Sequence, residues 1–220
     1  MVSLLQIFIE NAVLSLAEAL SGSTVGVFTA SADGDTTVTG LPSLVSSTPT
    51  TGTIGNISRT NVFWQNQSAN VSSDFSANGY TTMRSLYLLC SRGDEVPDTI
   101  VLTRAAFANF LNNATNTFRL NEPLSRQAVD EGMVEMGFPH AMFHGAVVIF
   151  DDGVPANQGY FLNLRKKYTQ LVVQEDRSFA IKGLISPADR DALTGHAIWA
   201  GNQCVTSMPR QGHLLNADTD

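Results

Sequence analysis

Apolar residues recur at Leu4, Leu5, Phe8, Ala12, Leu16, Ala19 and Leu20, with further apolar positions between them. That spacing predicts a long, broad-faced first helix, ended by Gly22. The periodicity then disappears. Residues 21–54 are rich in Gly, Ser, Thr and Pro, with "DGDT" and "TGLP" as turn signals. They predict a long irregular connection with short strands at 25–28 and 36–38, and loops of this length in compact domains usually serve a function or cover something. Helical spacing returns at Met83, Leu86, Tyr87, Leu89 and Cys90, which predicts a second helix over 81–91 that stops at "RGD". "DTIVLT" is β-branched and bounded by Pro97 and Arg104, the pattern of a buried strand. Thr103 is placed to cap a third helix with apolar positions Ala106, Phe107, Phe110 and Leu111.

The second half changes character. "AMFHGAVVIFDD", "GYFLNL", "TQLVVQ", "SFAIKG" and "HAIWAGNQCVTSM" are strand-like runs, the last one long. "DGVPANQG" is a hairpin-type loop, and "SPADRDA" is a polar excursion before the last strand. Helices come early and strands late, so the class is α+β rather than a regularly alternating doubly wound sheet. No internal repeat or low-complexity linker demands independent domains.

With 220 residues and 43% hydrophobic content, the chain is long and apolar enough for a real core. Charged residues make up only 15%, with Ser, Thr and Asn in their place. Such a surface repels copies of itself weakly, which suits an extracellular protein or a subunit that packs against neighbours. The net charge of −7, with Arg165-Lys166-Lys167 as the one basic tract, disfavours tight or sequence-specific nucleic-acid binding. Glu10, Asn11 and Glu18 interrupt the first apolar run and no Lys or Arg precedes it. It therefore reads as a helix of the folded protein, not a signal peptide or membrane span, although Ala17-Glu18-Ala19 imitates a cleavage site. Sequons at Asn56, Asn66, Asn70 and Asn113 are the chance yield of such a composition.

Candidate chemistry is sparse. There is no glycine-rich phosphate loop, GxGxxG, CxxC, HExxH or GxSxG. Cys90 and Cys204 sit among apolar residues and read as small buried hydrophobes. His140, His144, His196 and His213 are scattered; on a strand, His140 and His144 would share a face but stand too far apart for easy shared ligation. Asp151-Asp152-Gly153 is ordinary at the mouth of a turn. No catalytic, cofactor or metal residue is assigned. Arg92-Gly93-Asp94 matches the integrin-binding triplet, but three residues recur by chance often, and a helix end accounts for "SRGDEVPD" adequately. The most unusual stretch is "GNISRTNVFWQNQ", where a glycine turn, a lone Arg59 and the pair Phe63–Trp64 run into Asn66 and Gln67. Trp64 suits an amphipathic anchor, and Arg59, Asn66 and Gln67 suit hydrogen bonding to backbone or to neighbouring subunits. A plain intramolecular packing role fits the same residues.

That stretch resembles the segment following the long helix in major capsid proteins of tailed bacteriophages. It matches at Gly55, Ile57, Arg59, Trp64, Asn66 and Gln67, and departs at Asn56 and at Phe63, the first aromatic. Three landmarks follow in family order: "PDTIVLTRAAFANF", "FHGAVVIFDD…GYFLNL", and an ending that carries Trp199, Gly201, Asn202 and then Arg210, Gln211 and Gly212. The resemblance spans roughly residues 4–215.

The resemblance implies the Hong Kong 97-type capsid fold, with residues 2–21 as spine helix. It places residues 1–75 in a peripheral domain, 76–175 mainly in an axial domain, and 176–220 back in the peripheral sheet. The implied function is a non-enzymatic, cofactor-free structural subunit of a phage or prophage capsid. It would self-associate into capsomers around double-stranded DNA without sequence-specific contact, alongside other capsid, scaffold or portal proteins. The implied place is the virion, assembled in the bacterial host cytoplasm, with no membrane partner. Family chains carry an N-terminal arm and an extended loop before the spine helix, and here Met1 almost opens that helix. A prophage remnant, a split gene and a compact variant are the competing explanations. The expectation is a chain that folds but closes shells poorly alone, because multivalent contacts multiply only when all can engage. An encapsulin-type shell, a secreted adhesin or carbohydrate-binding module, and an enzyme without a recognisable motif are the alternatives.

Overall fold

The structure, a computed structural model, describes residues 4–22, 26–31, 37–72, 74–117, 141–164, 168–185 and 194–218. The chain is α+β and divides into two compact units. The first comprises Met1–Ser43 and Gln170–Cys204. It holds α1 (Leu4–Ser21), which ends where the Gly22 amide donates to the Ala19 carbonyl, 3.3 Å. Along α1, Ile9, Val13, Leu16 and Leu20 are half-buried at helical spacing, while Leu14 on another face is 65% exposed. Its strands form two two-stranded sheets: β9 (Ala180–Ile185) pairs antiparallel with β10 (Thr194–Ile198), and β8 (Thr169–Val173) pairs with β11 (Gly201–Val205), Thr169 and Val205 lying at the edge of the second unit. α1 packs against β10.

The second unit comprises Leu44–Thr169 and Val205–Asp220. It opens after the short helix α2 (Leu41–Leu44) with a two-stranded hairpin, β1 (Thr53–Ile54) and β2 (Ile57–Ser58). Its centre is a six-stranded mixed sheet. The members are β3 (Gln67–Asn70), β4 (Thr99–Leu102), β5 (Ala141–Phe143), β6 (Ala146–Phe150), β7 (Gln158–Leu162) and β12 (Gly212–Leu215), in the order β3-β12-β7-β4-β6-β5. Helices α3 (Phe75–Cys90) and α4 (Arg104–Thr117) bury one stripe each. On α3 the stripe is Phe75, Gly79, Met83, Leu86, Tyr87 and Cys90, the i, i+4, i+8 and i+11 face of a helix. These side chains join Phe107 and Phe110 of α4 and Ile100, Leu102, Val148, Phe161 and Leu214 of the sheet in one core. Thr103 caps α4 as expected: its Oγ1 accepts the Ala106 amide, 3.1 Å, satisfying a donor that the helix start leaves free.

The helix–strand–helix reading of the middle holds as α3, β4 and α4. Several local readings need correction. "AMFHGAVVIFDD" is not one strand but the hairpin β5–β6, because His144 (φ 50°) and Gly145 (φ 87°) form the positive-φ pair of a tight two-residue turn. "DGVPANQG" joins β6 to β7, but these are not neighbours; β4 lies between them. The last run is broken at Trp199–Ala200 into β10 and β11, which pair with different strands. Leu89 does not face the core and is 50% exposed. The described parts of 26–31 and 37–40 contain no strand. Val25, Thr36, "SPADRDA", Arg165-Lys166-Lys167 and His140 lie outside the described residues. Cys90 and Cys204 are free, the first buried and the second half-buried.

Candidate functional site

The stretch "GNISRTNVFWQNQ" builds a compact polar-and-aromatic knot in the second unit. Gly55 (φ 58°) and Asn56 (φ 61°) are the two turn residues between β1 and β2, a positive-φ pair that Gly and Asn tolerate best. Ile57 on β2 is half-buried opposite Ile54. Two residues on, Arg59 is only 2% exposed. Its Nη2 donates to the Leu44 carbonyl at 2.6 Å and its Nη1 to Asn66 Oδ1 at 3.2 Å. Desolvation pulls the guanidinium pKa below its ordinary value. Asn66 is equally buried and works as a staple: its Oδ1 also accepts the Ser46 amide at 3.2 Å, while Nδ2 donates to the carbonyls of Ser46, 2.8 Å, and Gln67, 2.9 Å. Gln65 closes the knot, Nε2 donating to the Arg59 carbonyl at 2.7 Å. Arg59 and Asn66 thus tie 44–46 to 59–67 through groups that would be costly to leave unpaired.

The aromatic pair separates into two roles. A 3-10 turn over Val62–Trp64 points neighbouring side chains in different directions. Trp64 is half-buried, and its Nε1 donates to the Ile54 carbonyl at 3.1 Å, so it braces the β1–β2 hairpin. Phe63 is 66% and Val62 80% exposed. An apolar tip therefore stands on a rigidly bonded base. Gln67 leaves the turn and begins β3, pairing in parallel with Gly212 of β12; its amide donates to the Gln211 carbonyl at 2.9 Å.

The C-terminal motif is shared between the units. Trp199, Gly201 and Asn202 belong to the first. There Asn202 accepts the Thr39 amide on Oδ1, 2.7 Å, and donates from Nδ2 to Thr39 Oγ1, 3.1 Å, fastening the segment that precedes α2. Gly201 lies close to the Val172 carbonyl, and Trp199 is half-buried beside it. Arg210, Gln211 and Gly212 belong to the second unit, where they complete the knot's neighbour strand. Gly212 is needed for space: an added Cβ would lie 2.7 Å from Cys90 Sγ and 3.1 Å from Leu86, because β12 runs hard against α3. Gln211 is fully buried, with Oε1 accepting the Asn163 amide at 3.1 Å. Arg210 forms an ion pair with Glu95 (Nε to Oε2, 2.5 Å) and lies over the Tyr168 ring, 4.6 Å from its centroid. The Tyr168 hydroxyl donates to Glu95 Oε1, 2.7 Å, and that bond raises its pKa. No sequence signal pointed to Glu95, Tyr168 or Asn163, because their partners are distant along the chain.

Among the described residues, the titratable groups with shifted pKa values include His213, Tyr160 and Cys90, all buried. His213 is buried between strands, with Nε2 3.3 Å from Gln158 Oε1 and its ring edge-on to Tyr160. Burial pushes its pKa down to about 4, so it is neutral near pH 7. Tyr160, whose hydroxyl donates to the same Gln158 oxygen, is raised by burial, and the Cys90 thiol is pushed up to about 12 for the same reason. Such a thiol is a packing group rather than a nucleophile. Among the described residues, no group of three or more His, Cys, Asp or Glu side chains could hold a metal ion, and no helix is long and apolar enough to cross a membrane.

No family model matches the sequence, and no curated protein matches it. Solved structures do. The capsid asymmetric unit of cyanophage A-1(L) superposes with a TM-score of 0.72 at 15% identity, covering 98% of this chain and 69% of that one. Two further likenesses have TM-scores of 0.43: a virus-like particle from Pyrococcus furiosus, at 12% identity, and the holo-SrpI encapsulin complex from Synechococcus elongatus PCC 7942, at 13%. Each covers 68% of this chain and about half of its counterpart, 54% and 52% respectively. These two likenesses are too distant to support an argument. The first runs almost end to end, and by it the fold of this chain is that of a phage capsid protein.

Proposed function

We propose that the chain is a structural subunit of a bacteriophage or prophage capsid shell, self-associating into capsomers around double-stranded DNA. The observation that carries this reading is the end-to-end likeness to the cyanophage capsid chain. In this reading residues 1–75 and 176–220 form the peripheral part and 76–175 mainly the axial part, while the two compact units divide the chain differently and group 44–75 and 205–220 with the six-stranded sheet. The two sequence motifs act as internal fasteners of the two units. The Arg59–Asn66 knot fixes the hairpin and the 3-10 turn, and so presents Val62 and Phe63 to a neighbouring copy. Apolar anchors on a rigid base make efficient contact residues, since little conformational entropy is lost when they are covered. The net charge of −7 suits a wall that encloses DNA without gripping it. Scaffold and portal proteins are the further partners, and the virion is the place of action. The chain works by assembly, without a cofactor.

Sedimentation velocity and negative-stain electron microscopy of the purified chain test this. The expected result is concentration-dependent self-association. A monomer at every concentration up to the solubility limit, with and without a co-expressed scaffold, would overturn the reading.

A further inference from the structure

We propose that the Arg92-Gly93-Asp94 turn is a recognition site for receptors of the integrin type, which hold a divalent cation for a carboxylate and an acidic pocket for a guanidinium. The tripeptide alone is common; its placement carries the inference. α3 ends at Cys90, and Ser91 secures that end, its Oγ donating to the Tyr87 carbonyl at 2.7 Å. The chain then closes a two-residue turn: the Arg92 amide donates to the Glu95 carbonyl at 2.8 Å, and the Glu95 amide to the Arg92 carbonyl at 3.2 Å. Gly93 sits at φ 67°, a conformation open to glycine, and its Cβ direction faces open space with no atom within 4 Å. Arg92, Gly93 and Asp94 are all exposed.

The base of the turn is fixed on its far side too. Glu95 is held by Arg210 on one oxygen and by the Tyr168 hydroxyl on the other. The acidic residue next to the tripeptide is therefore engaged inward. Among the described residues, neither the Arg92 nor the Asp94 side chain takes part in an ion pair or hydrogen bond. A carboxylate and a guanidinium with no ion-pair or hydrogen-bond partner among the described residues thus flank a glycine on a turn pinned at both ends. The carboxylate is a hard oxygen ligand suited to a receptor-held Mg²⁺, Ca²⁺ or Mn²⁺, and the guanidinium forks onto carboxylates. Pre-forming the turn removes part of the ordering penalty that a flexible peptide meets on binding.

Surface plasmon resonance of the full chain against an immobilised integrin headpiece that recognises this tripeptide, in Mn²⁺, tests the proposal. Expected is saturable binding that EDTA abolishes, that a soluble Arg-Gly-Asp peptide competes away, and that Asp94→Glu weakens by about 100-fold or more. Arg92→Ala should weaken it as well. Both positions are exposed, so thermal melting of the variants should match the parent, and the loss is then one of recognition. No binding at concentrations where the linear peptide binds, binding that survives EDTA, or equal binding by Asp94→Glu would each overturn the proposal. The outcome does not depend on whether the chain assembles.

Discussion

The buried Arg59 offers a test in which the ordering of variants runs against chemical similarity. Arg59→Met keeps the stem and removes the charge. The Leu44 carbonyl then loses the 2.6 Å donor, whereas Asn66 Oδ1 keeps the Ser46 amide. One newly unpaired buried carbonyl and one weakened acceptor should cost about 2–3 kcal/mol. Part of the desolvation penalty of the guanidinium is recovered, which keeps the figure from rising further. Arg59→Lys keeps the charge but loses the planar fork, so a single ammonium cannot span both acceptors. It remains a buried cation with fewer bonds and should be at least as destabilising as Met. Arg59→Ala adds a cavity to the lost bonds and should cost about 4–5 kcal/mol. Urea unfolding followed by tryptophan fluorescence measures the series, with a constant denaturant slope as the check that the unfolded state is unchanged. For a domain of this size each kcal/mol corresponds to about 2–4 °C in Tm. If Arg59→Ala lost less than about 1 kcal/mol, or if Lys were clearly better tolerated than Met, the knot would not be holding 44–46 against 59–67.

Three further outcomes follow from the packing and the charges. Gly212→Ala should destabilise by about 1–3 kcal/mol, since β12 or α3 must shift to admit the methyl beside Cys90 and Leu86, and an unchanged melting curve would contradict that close approach. Phe63→Asp should leave monomer melting within about 0.5 kcal/mol and weaken self-association in sedimentation, whereas Trp64→Ala should lower melting by about 2–4 kcal/mol; the opposite pattern would exchange the two roles. His213 titrates near 6.5 when unfolded and about 4 when folded, so below pH 6.5 the unfolded chain takes up the proton first. Its contribution is intact above that pH and falls by about 1.4 kcal/mol per unit towards pH 4, about 3 kcal/mol in all, and His213→Gln should flatten this slope in urea titrations at stepped pH.

Local periodicity and long-range pairing leave different traces in this chain. α1, α3 and α4 were legible because a helix satisfies its backbone within itself and shows its buried stripe as a local period; Met83, Leu86, Tyr87 and Cys90 announce a face without reference to any partner. The Thr103 cap and the β-branched run of β4 are equally local. Strand partners are not. β3 reads "QSAN" and β12 reads "GHLL", neither a persuasive strand alone, and their parallel pairing joins the two recognised motifs only in space. The same holds for Arg59 and for Gly212. A lone arginine in a polar stretch looks like surface until Leu44 and Asn66 close over it, and a glycine after Arg-Gln looks like a turn until α3 is laid against β12. The local alphabet of the chain specifies the helices and the longer apolar strands such as β4, but not the short polar strands β3 and β12. The order β3-β12-β7-β4-β6-β5, the split of the last strand at Trp199–Ala200 and the burial of a charge are decided by long-range contacts, whose free energy depends on partners brought together only by the fold.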